Sequence, residues 1–242
     1  LKMIKIGKPS LGPIMSQRPA ILISGATHGN EYLHIADRLP EYFLTSKDTA
    51  PGLKRYLEAG GIIFVVPILN PDGYDADRRS NSNGVDLNRD FALLPAREPN
   101  FEQPETSQLT SALDDEITGD DLKLEVTVDY HCCDGSLLFP WSYTRASLPS
   151  VDLARHRDVA LLMQDHISRN YEYGSTGQVL GYYPRGTRRY VRGMFGAHRP
   201  CFVDSTAVSN GLLVSTTRSV SSSEASKRVA QSVFAAGKTS AT

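Results

Sequence analysis

Apolar residues fall along this chain in short unbroken runs separated by amphipathic stretches. Ala20 to Ser24 (Ala-Ile-Leu-Ile-Ser) is one such run, ends at Gly25, and predicts a buried strand. Glu31 to Leu44 carries Leu33, Ile35, Ala36, Leu39 and Phe43 at helical spacing and predicts a helix, which Pro40 is expected to kink or end early. Gly61 to Leu69 is a second fully apolar run, rich in β-branched residues. Asn70-Pro71-Asp72-Gly73 follows as turn chemistry. Lys123 to Tyr130 predicts a third strand and Pro200 to Val203 a fourth. Glu102 to Leu113, Val151 to Asn170 and Ser222 to Ala236 predict helices, the last ending at Gly237. Strands alternating with helices predict an α/β sheet covered on both faces.

Length and charge narrow the class. The 242 residues, 40% of them hydrophobic, suffice for one sizeable core, and no repeat or linker divides them, so 1–242 reads as a single domain. A formal net charge of -1 gives no footprint for nucleic acid or an anionic membrane. No apolar run reaches the roughly 18 residues that span a bilayer. Leu1 to Leu11 has lysines at positions 2, 5 and 8 without a continuous apolar block, unlike a signal peptide, and no Met starts the chain, as in a trimmed form. Both a cytoplasmic and an exported soluble chain fit, and oligomeric state is left open. Of three cysteines, Cys132 and Cys133 are adjacent, a poor geometry for pairing with each other, which leaves room for one bridge to Cys201.

The candidate chemistry sits at strand ends, where open α/β sheets place their sites. His28 and Glu31 follow the first strand, and His131 follows the third. Two imidazoles and one carboxylate leave a fourth position on Zn²⁺ for water, the donor set of a catalytic zinc, one ion per chain. Arg78 to Arg97 is polar and aperiodic, and an irregular stretch of that length inside a compact domain is usually functional. The chain has no Gly-x-Ser-x-Gly elbow, which counts against a serine hydrolase, and Lys238-Thr239 lacks the glycine and following helix of a phosphate loop. His34, His156, His166 and His198 have no ligand-like company and read as surface or packing residues.

His28-Gly29-Asn30-Glu31, Asn70-Pro71-Asp72-Gly73, Asp86-Leu87-Asn88-Arg89-Asp90-Phe91 and Asp129-Tyr130-His131 occur in that order. In this the chain resembles the zinc carboxypeptidase family, particularly its compact bacterial branch that includes murein peptide amidases. The resemblance runs from about Ile21 to about Val208. It implies a twisted, mixed eight-stranded sheet flanked by helices and a single zinc held by His28, Glu31 and His131. It also implies that Arg79 polarises the scissile carbonyl and that Asn88 and Arg89 grip a substrate's terminal carboxylate. A guanidinium fork suits a carboxylate, and a positive group beside zinc stabilises a developing oxyanion. Tyr182, with Tyr183 as runner-up, matches the family's substrate-side tyrosine by spacing to Gly186 and Asp204. Seven residues on, Arg189 takes the position at the floor of the leaving-residue pocket, which implies an acidic leaving residue such as glutamate or diaminopimelate from cell-wall peptidoglycan. Asp129 or Asp134 would orient the imidazole of His131, and Asp129, alternating with it along the strand, is the better candidate.

The departure lies at the general base. The family carries glutamate where Cys201-Phe202-Val203-Asp204 has aspartate. The shorter side chain withdraws the carboxylate by about 1.5 Å, and about 1 Å of misplacement can lower a rate roughly a hundredfold. Three readings stay open: a peptide or amino-acid amide hydrolase with Asp204 as base, a zinc deacylase of N-acyl amino acids resembling aspartoacylase, and a carboxypeptidase-like binding protein without turnover.

Overall fold

The structure is a computed structural model. It describes residues 1–8, 17–32, 35–91, 101–119, 122–132, 135–166, 170–184 and 211–216, with the backbone alone at 35–37, 118–119 and 211–216. In chain order it contains β1 (Ile4–Ile6), β2 (Arg18–Gly25), α1 (Ile35–Ser46), α2 (Pro51–Glu58), β3 (Ile62–Val66), α3 (Pro71–Asp75), α4 (Pro104–Gly119), β4 (Leu122–His131), β5 (Ser136–Phe139), α5 (Ser150–Gln164), β6 (Glu172–Ser175), α6 (Thr176–Val179) and β7 (Gly211–Thr216). A 3₁₀ turn spans Leu87–Arg89.

The main sheet runs β1-β3-β2-β4-β7. Its centre, β3-β2-β4, is parallel, and the edges β1 and β7 pair antiparallel to their neighbours. A second, parallel pair joins β5 to β6. Helices cover both faces of the main sheet, so the architecture is the mixed α/β sheet that the sequence predicts.

β3 is apolar throughout and β2 and β4 are largely so, because both faces of the sheet centre are covered. Ile21, Ile23, Ile63, Val65, Val126, Val128 and Tyr130 pack with Leu39 and Phe43 of α1, Leu53, Tyr56 and Leu57 of α2, and Ala160 and Met163 of α5. Ala20, Leu22, Ile62, Phe64 and Val66 pack on the other face with Leu109, Leu113 and Ile117 of α4 and with Leu87 and Phe91. His156 and His166 of the α5 region each bond through Nδ1 to a carbonyl of their own helix, the packing role expected of them.

Several expectations change on contact with packing. The helix after β2 starts at Ile35 and passes through Pro40 to Ser46 rather than ending there. Pro40 stands in the second turn, where it forfeits one backbone hydrogen bond, and buried Leu39 and Phe43 hold the helix to the core on either side of it. Asn70 to Gly73 is a helix start as well as a turn: Asn70 caps α3 by accepting from the Gly73 N–H at 2.9 Å. The predicted strand at 200–203 and helix at 222–236 lie outside the described residues, as do His198, Cys133, Asp134 and Cys201.

Asp90 ties the polar segment to this frame. Its buried carboxylate accepts from the backbone N–H groups of Glu102 (3.1 Å) and Gln103 (3.0 Å) and from the Thr106 hydroxyl, at the entry to α4. Asp90→Ala removes all three bonds and leaves two donors in a largely dry setting. It should lower stability by about 2–3 kcal/mol in denaturant titration; an unchanged midpoint would show that the clasp is dispensable.

Candidate metal centre

The carboxyl ends of β2, β3 and β4 lie side by side, and the motif residues leave the sheet there. Pairing continues past β3 through Leu69 N–H to Gly25 O and Asn70 N–H to Ala26 O, both 3.0 Å. Ala26 has φ of 50°, a left-handed conformation that turns the chain out of β2 into Thr27 and His28. Gly29 sits against the neighbouring turn so closely that a Cβ there would come within 2.0 Å of the Gly73 carbonyl carbon. The two glycines let the His28–Glu31 turn and the Asn70–Gly73 turn nest. Asn70 also donates through Nδ2 to the carbonyls of Thr27 (3.5 Å) and Arg79 (3.2 Å), so one side chain fixes three motif segments.

His28, Glu31 and His131 converge, with one ligand atom from each within 4.8 Å of the others and all three side chains buried. His28 Nδ1 lies 2.8 Å from Glu31 Oε1, His131 Nδ1 lies 2.9 Å from Glu31 Oε2, and the two Nδ1 atoms are 3.2 Å apart. Donor atoms about 2.1 Å from a tetrahedral zinc stand about 3.4 Å from one another. The triangle therefore fits the ion once its sides open by about 0.2–0.6 Å. Two ring nitrogens of the same kind facing each other are satisfied by one shared proton or one shared cation.

The outward nitrogens are each backed by a carboxylate. His131 Nε2 meets Asp129 Oδ2 at 2.9 Å, and His28 Nε2 meets Asp86 Oδ1 at 3.0 Å. An Nε2–H donated to a carboxylate leaves Nδ1 as the free base of the ring, which is the form a metal needs. Asp129 is itself held by hydroxyls, Ser24 at 2.7 Å and Thr27 at 3.2 Å. Asp129 is the partner that its alternation with His131 predicts. Asp86 is a functional residue that sequence reasoning misses, although it stands two residues before Asn88 in a motif that the resemblance rests on. Nothing in the local spacing points it at His28, 58 positions away.

Charge and burial work against each other here. Burial disfavours the ionised Glu31, but hydrogen bonds from His131 and His28 and their charges outweigh it and hold the carboxyl well below its usual range. Asp86 is likewise pulled down: burial is outweighed by the His28 hydrogen bond and charge and by Arg79 and Arg89. Burial also disfavours a charge on His131, yet Asp129 and Glu31 raise its pKa from 6.5 to about 10. The pocket is built for positive charge.

Arg79 lies at the rim. Its Nε and one terminal nitrogen each meet Asp86 Oδ2 at 2.9 Å, and the other terminal nitrogen lies 3.3 Å from His28 Nδ1 and 3.8 Å from Glu31 Oε1. Its side chain keeps 47% exposure. Asn88 is fully buried, and Arg89, 37% exposed, donates to the Asn88 carbonyl at 2.8 Å and approaches Asp86 at 4.0 Å. Tyr182 stands in the segment after α6, where its side chain is 43% exposed. Arg189 and Asp204 lie outside the described residues.

The zinc carboxypeptidase family profile matches residues 1–202. The chain belongs to the zinc carboxypeptidase family. Among characterised relatives of this family, carboxypeptidase SOL1 of Arabidopsis thaliana is 31% identical over 133 residues, covering 52% of this chain and 25% of the relative. The inactive metallocarboxypeptidase ECM14 of Arthroderma benhamiae is 24% identical over 164 residues, covering 55% of this chain and 27% of the relative. The matched stretches thus span about a quarter of the length of these relatives. Bovine thrombin-activatable fibrinolysis inhibitor, solved in complex with tick carboxypeptidase inhibitor, shares the fold at a TM-score of 0.61 and 18% identity, over 98% of this chain and 83% of that one. The metallo-carboxypeptidase from Burkholderia cenocepacia aligns at 0.56 and 13% identity, over 97% and 59%. None of the helices among the described residues is long and apolar enough to cross a membrane.

Removing the support behind each imidazole should weaken metal retention without unfolding the protein. Asp86→Ala and Asp129→Ala are each expected to lower zinc affinity by roughly 10–100-fold, read by competition with a chromophoric chelator. Parental affinity in both variants would mean that the carboxylates do not orient the ligands.

Proposed function

We propose that this protein is a zinc-dependent metallocarboxypeptidase that hydrolyses a peptide or amide bond next to a residue with a free carboxylate. The observation that carries the reading is the buried triangle of His28, Glu31 and His131 with a carboxylate behind each ring. Bound there, zinc would supply a Lewis acid and a water far more acidic than bulk water. His28 and His131 present Nδ1 inward, and Glu31 contributes the negative charge that completes the donor set. Arg79, anchored on Asp86 and exposed along one side, is placed to donate to the scissile carbonyl oxygen as charge develops on it. Arg89 and Asn88 are assigned to the substrate's terminal carboxylate. That role asks Arg89 to exchange its own-turn carbonyl for the substrate, which its exposure permits. Asp204 is assigned to take the proton from the attacking water and deliver it to the leaving amine. Tyr182 is assigned to the substrate side.

A second reading has an observation of its own. Asp204 replaces glutamate, and several relatives are named inactive metallocarboxypeptidases. A protein that binds metal and a carboxylate ligand without turnover would share every described feature of the site.

The experiment that tests the first reading measures zinc content and turnover together. Purified protein should hold about one zinc per chain, and His28→Ala or His131→Ala should lose it. Parent protein should hydrolyse C-terminal dipeptides or cell-wall peptides and stop on chelation, with N-acyl amino acids as the comparison substrates for a deacylase. Asp204→Ala should keep zinc and lose turnover, whereas Asp204→Glu should be at least as active as the parent. Full zinc occupancy in the double histidine variant would end the metal assignment. Parental rates in Asp204→Ala would move the base elsewhere, and zinc and ligand retention with no turnover would select the second reading.

Substrate preference follows from Arg189. A pocket arginine needs an anionic partner, since an unpaired buried charge is unfavourable. We assign that partner to the leaving residue's side chain, glutamate or diaminopimelate. Comparing kcat/KM for substrates ending in Glu, Phe, Lys and diaminopimelate, Arg189→Ala should lose about 2–5 kcal/mol on the acidic pair and little on Phe. Equal losses on all four would remove Arg189 from the pocket.

A further inference from the structure

Arg79, Asp86, Asn88 and Arg89 stand on one polar segment, and that segment is tied at both ends to the entry of α4. Asp90 holds the far end through the amides of Glu102 and Gln103 and the Thr106 hydroxyl. Asn81, fully buried, holds the near end. Its Oδ1 accepts from the backbone N–H groups of Asn83 at 3.1 Å and Val85 at 3.0 Å. Its Nδ2 donates to Gln103 Oε1 at 2.9 Å and to Glu105 Oε2 at 3.3 Å. The Asn81 N–H reaches the Val85 carbonyl, and the Asn81 carbonyl takes the Gly84 N–H, both at 3.0 Å. Asn83 adds a bond of its own to Gln103 Oε1 at 3.0 Å. Every polar position that an asparagine offers is filled, and the two backbone donors decide which end of the amide faces α4.

We propose that Asn81 is a positioning residue for the metal centre: it seats the turn at 81–85 on the entry of α4 and thereby aims the Asp86 carboxylate at His28. The inference rests on the zinc reading of His28, Glu31 and His131. Asp86 follows directly on Val85, whose N–H and carbonyl are both bonded to Asn81. The Asp86 carboxylate then meets His28 Nε2 at 3.0 Å and Arg79 Nε at 2.9 Å. A hydrogen bond weakens steeply with misalignment, so a carboxylate orients an imidazole only where its own backbone is fixed. Asp86 also accepts from the Asn88 N–H at 2.9 Å, which joins it to the turn that follows but not to the helical frame. Asn81 supplies that tie on one side of Asp86, as Asp90 does on the other. A tie that served the fold alone would change stability and leave the zinc affinity of the folded protein untouched, so the two roles separate by measurement.

The test uses the whole chain, with zinc affinity read by competition with a chromophoric chelator and folding followed by circular dichroism. Asn81→Asp keeps the shape of the side chain but turns an oxygen toward Gln103 Oε1 and Glu105 Oε2, where the amide donated. It should weaken zinc binding roughly tenfold, the low end for the support of a metal ligand. Adding Glu105→Gln restores a donor opposite the new oxygen and should recover most of that loss. In an Asp86→Ala background, Asn81→Asp should change zinc affinity by less than about twofold, because the carboxylate through which it acts is gone. Gln103→Met removes the shared acceptor without adding charge and should weaken zinc binding in the same direction. Parental zinc affinity in folded Asn81→Asp and Gln103→Met, no recovery on adding Glu105→Gln, or an undiminished loss in the Asp86→Ala background would each overturn the positioning role and leave the zinc site standing. Failure of both single variants to fold would likewise overturn it, reassigning Asn81 to global stability. A parent protein that holds no zinc would remove the metal reading together with this inference.

Discussion

Everything at the carboxyl end of this sheet is arranged around one buried carboxylate, Glu31. It lies between two imidazoles at 2.8 and 2.9 Å and takes a backbone N–H at 3.0 Å. Ionised carboxylates are rarely tolerated in a protein interior without partners. The surrounding chain is organised to supply them. β4 delivers His131 and the Cys132 amide, the nested glycines bring the His28 turn to the same point, and Asp86 and Asp129 balance the rings from behind. None of these pieces is independent. A change that moved either ring would strand Glu31, and loss of Glu31 would leave both rings competing for one position.

The fold serves this arrangement by rigidity. β2, β3 and β4 put apolar residues on both faces and carry α1, α2 and α5 on one side and α4 on the other. Their carboxyl ends are thus fixed relative to one another before any polar contact forms. The polar segments that follow need to be correct only over a few residues each. That is why a single asparagine, Asn70, suffices to join three of them.

The parts of this design that are legible in the sequence share one property: their signal is local. The apolar runs at β2, β3 and β4, the turn chemistry from Asn70 to Gly73 and the alternation of Asp129 with His131 are all set by neighbours in the chain. The ordered motifs extend that reach to the convergence of His28, Glu31 and His131. Short elements escape, among them β1, α2, β5 and β6. A strand of three or four residues carries too few positions to establish a period, and β1 is half exposed and held mainly by its pairing to β3. The helical reach of α1 through Pro40 is invisible in the sequence because the anchoring of Leu39 and Phe43 is tertiary. Asp86 escapes for the same reason, since its partner His28 is adjacent only in space. Tyr182 is placed by counting alone, and a count along the chain carries no information about what the side chain meets in space.

The clasp at Asp90 has a consequence for engineering. The Phe101 N–H reaches the Asp90 carbonyl, and the carboxylate of the same residue holds the next two amides, so the chain is pinned where it leaves and where it returns. Chain length between such pins is thermodynamically inexpensive, about 0.6 kcal/mol for each doubling. Chain length added between Asp90 and Phe101 is therefore closed at both ends by the clasp itself, which makes that interval the natural place to splice in an epitope or a reporter peptide.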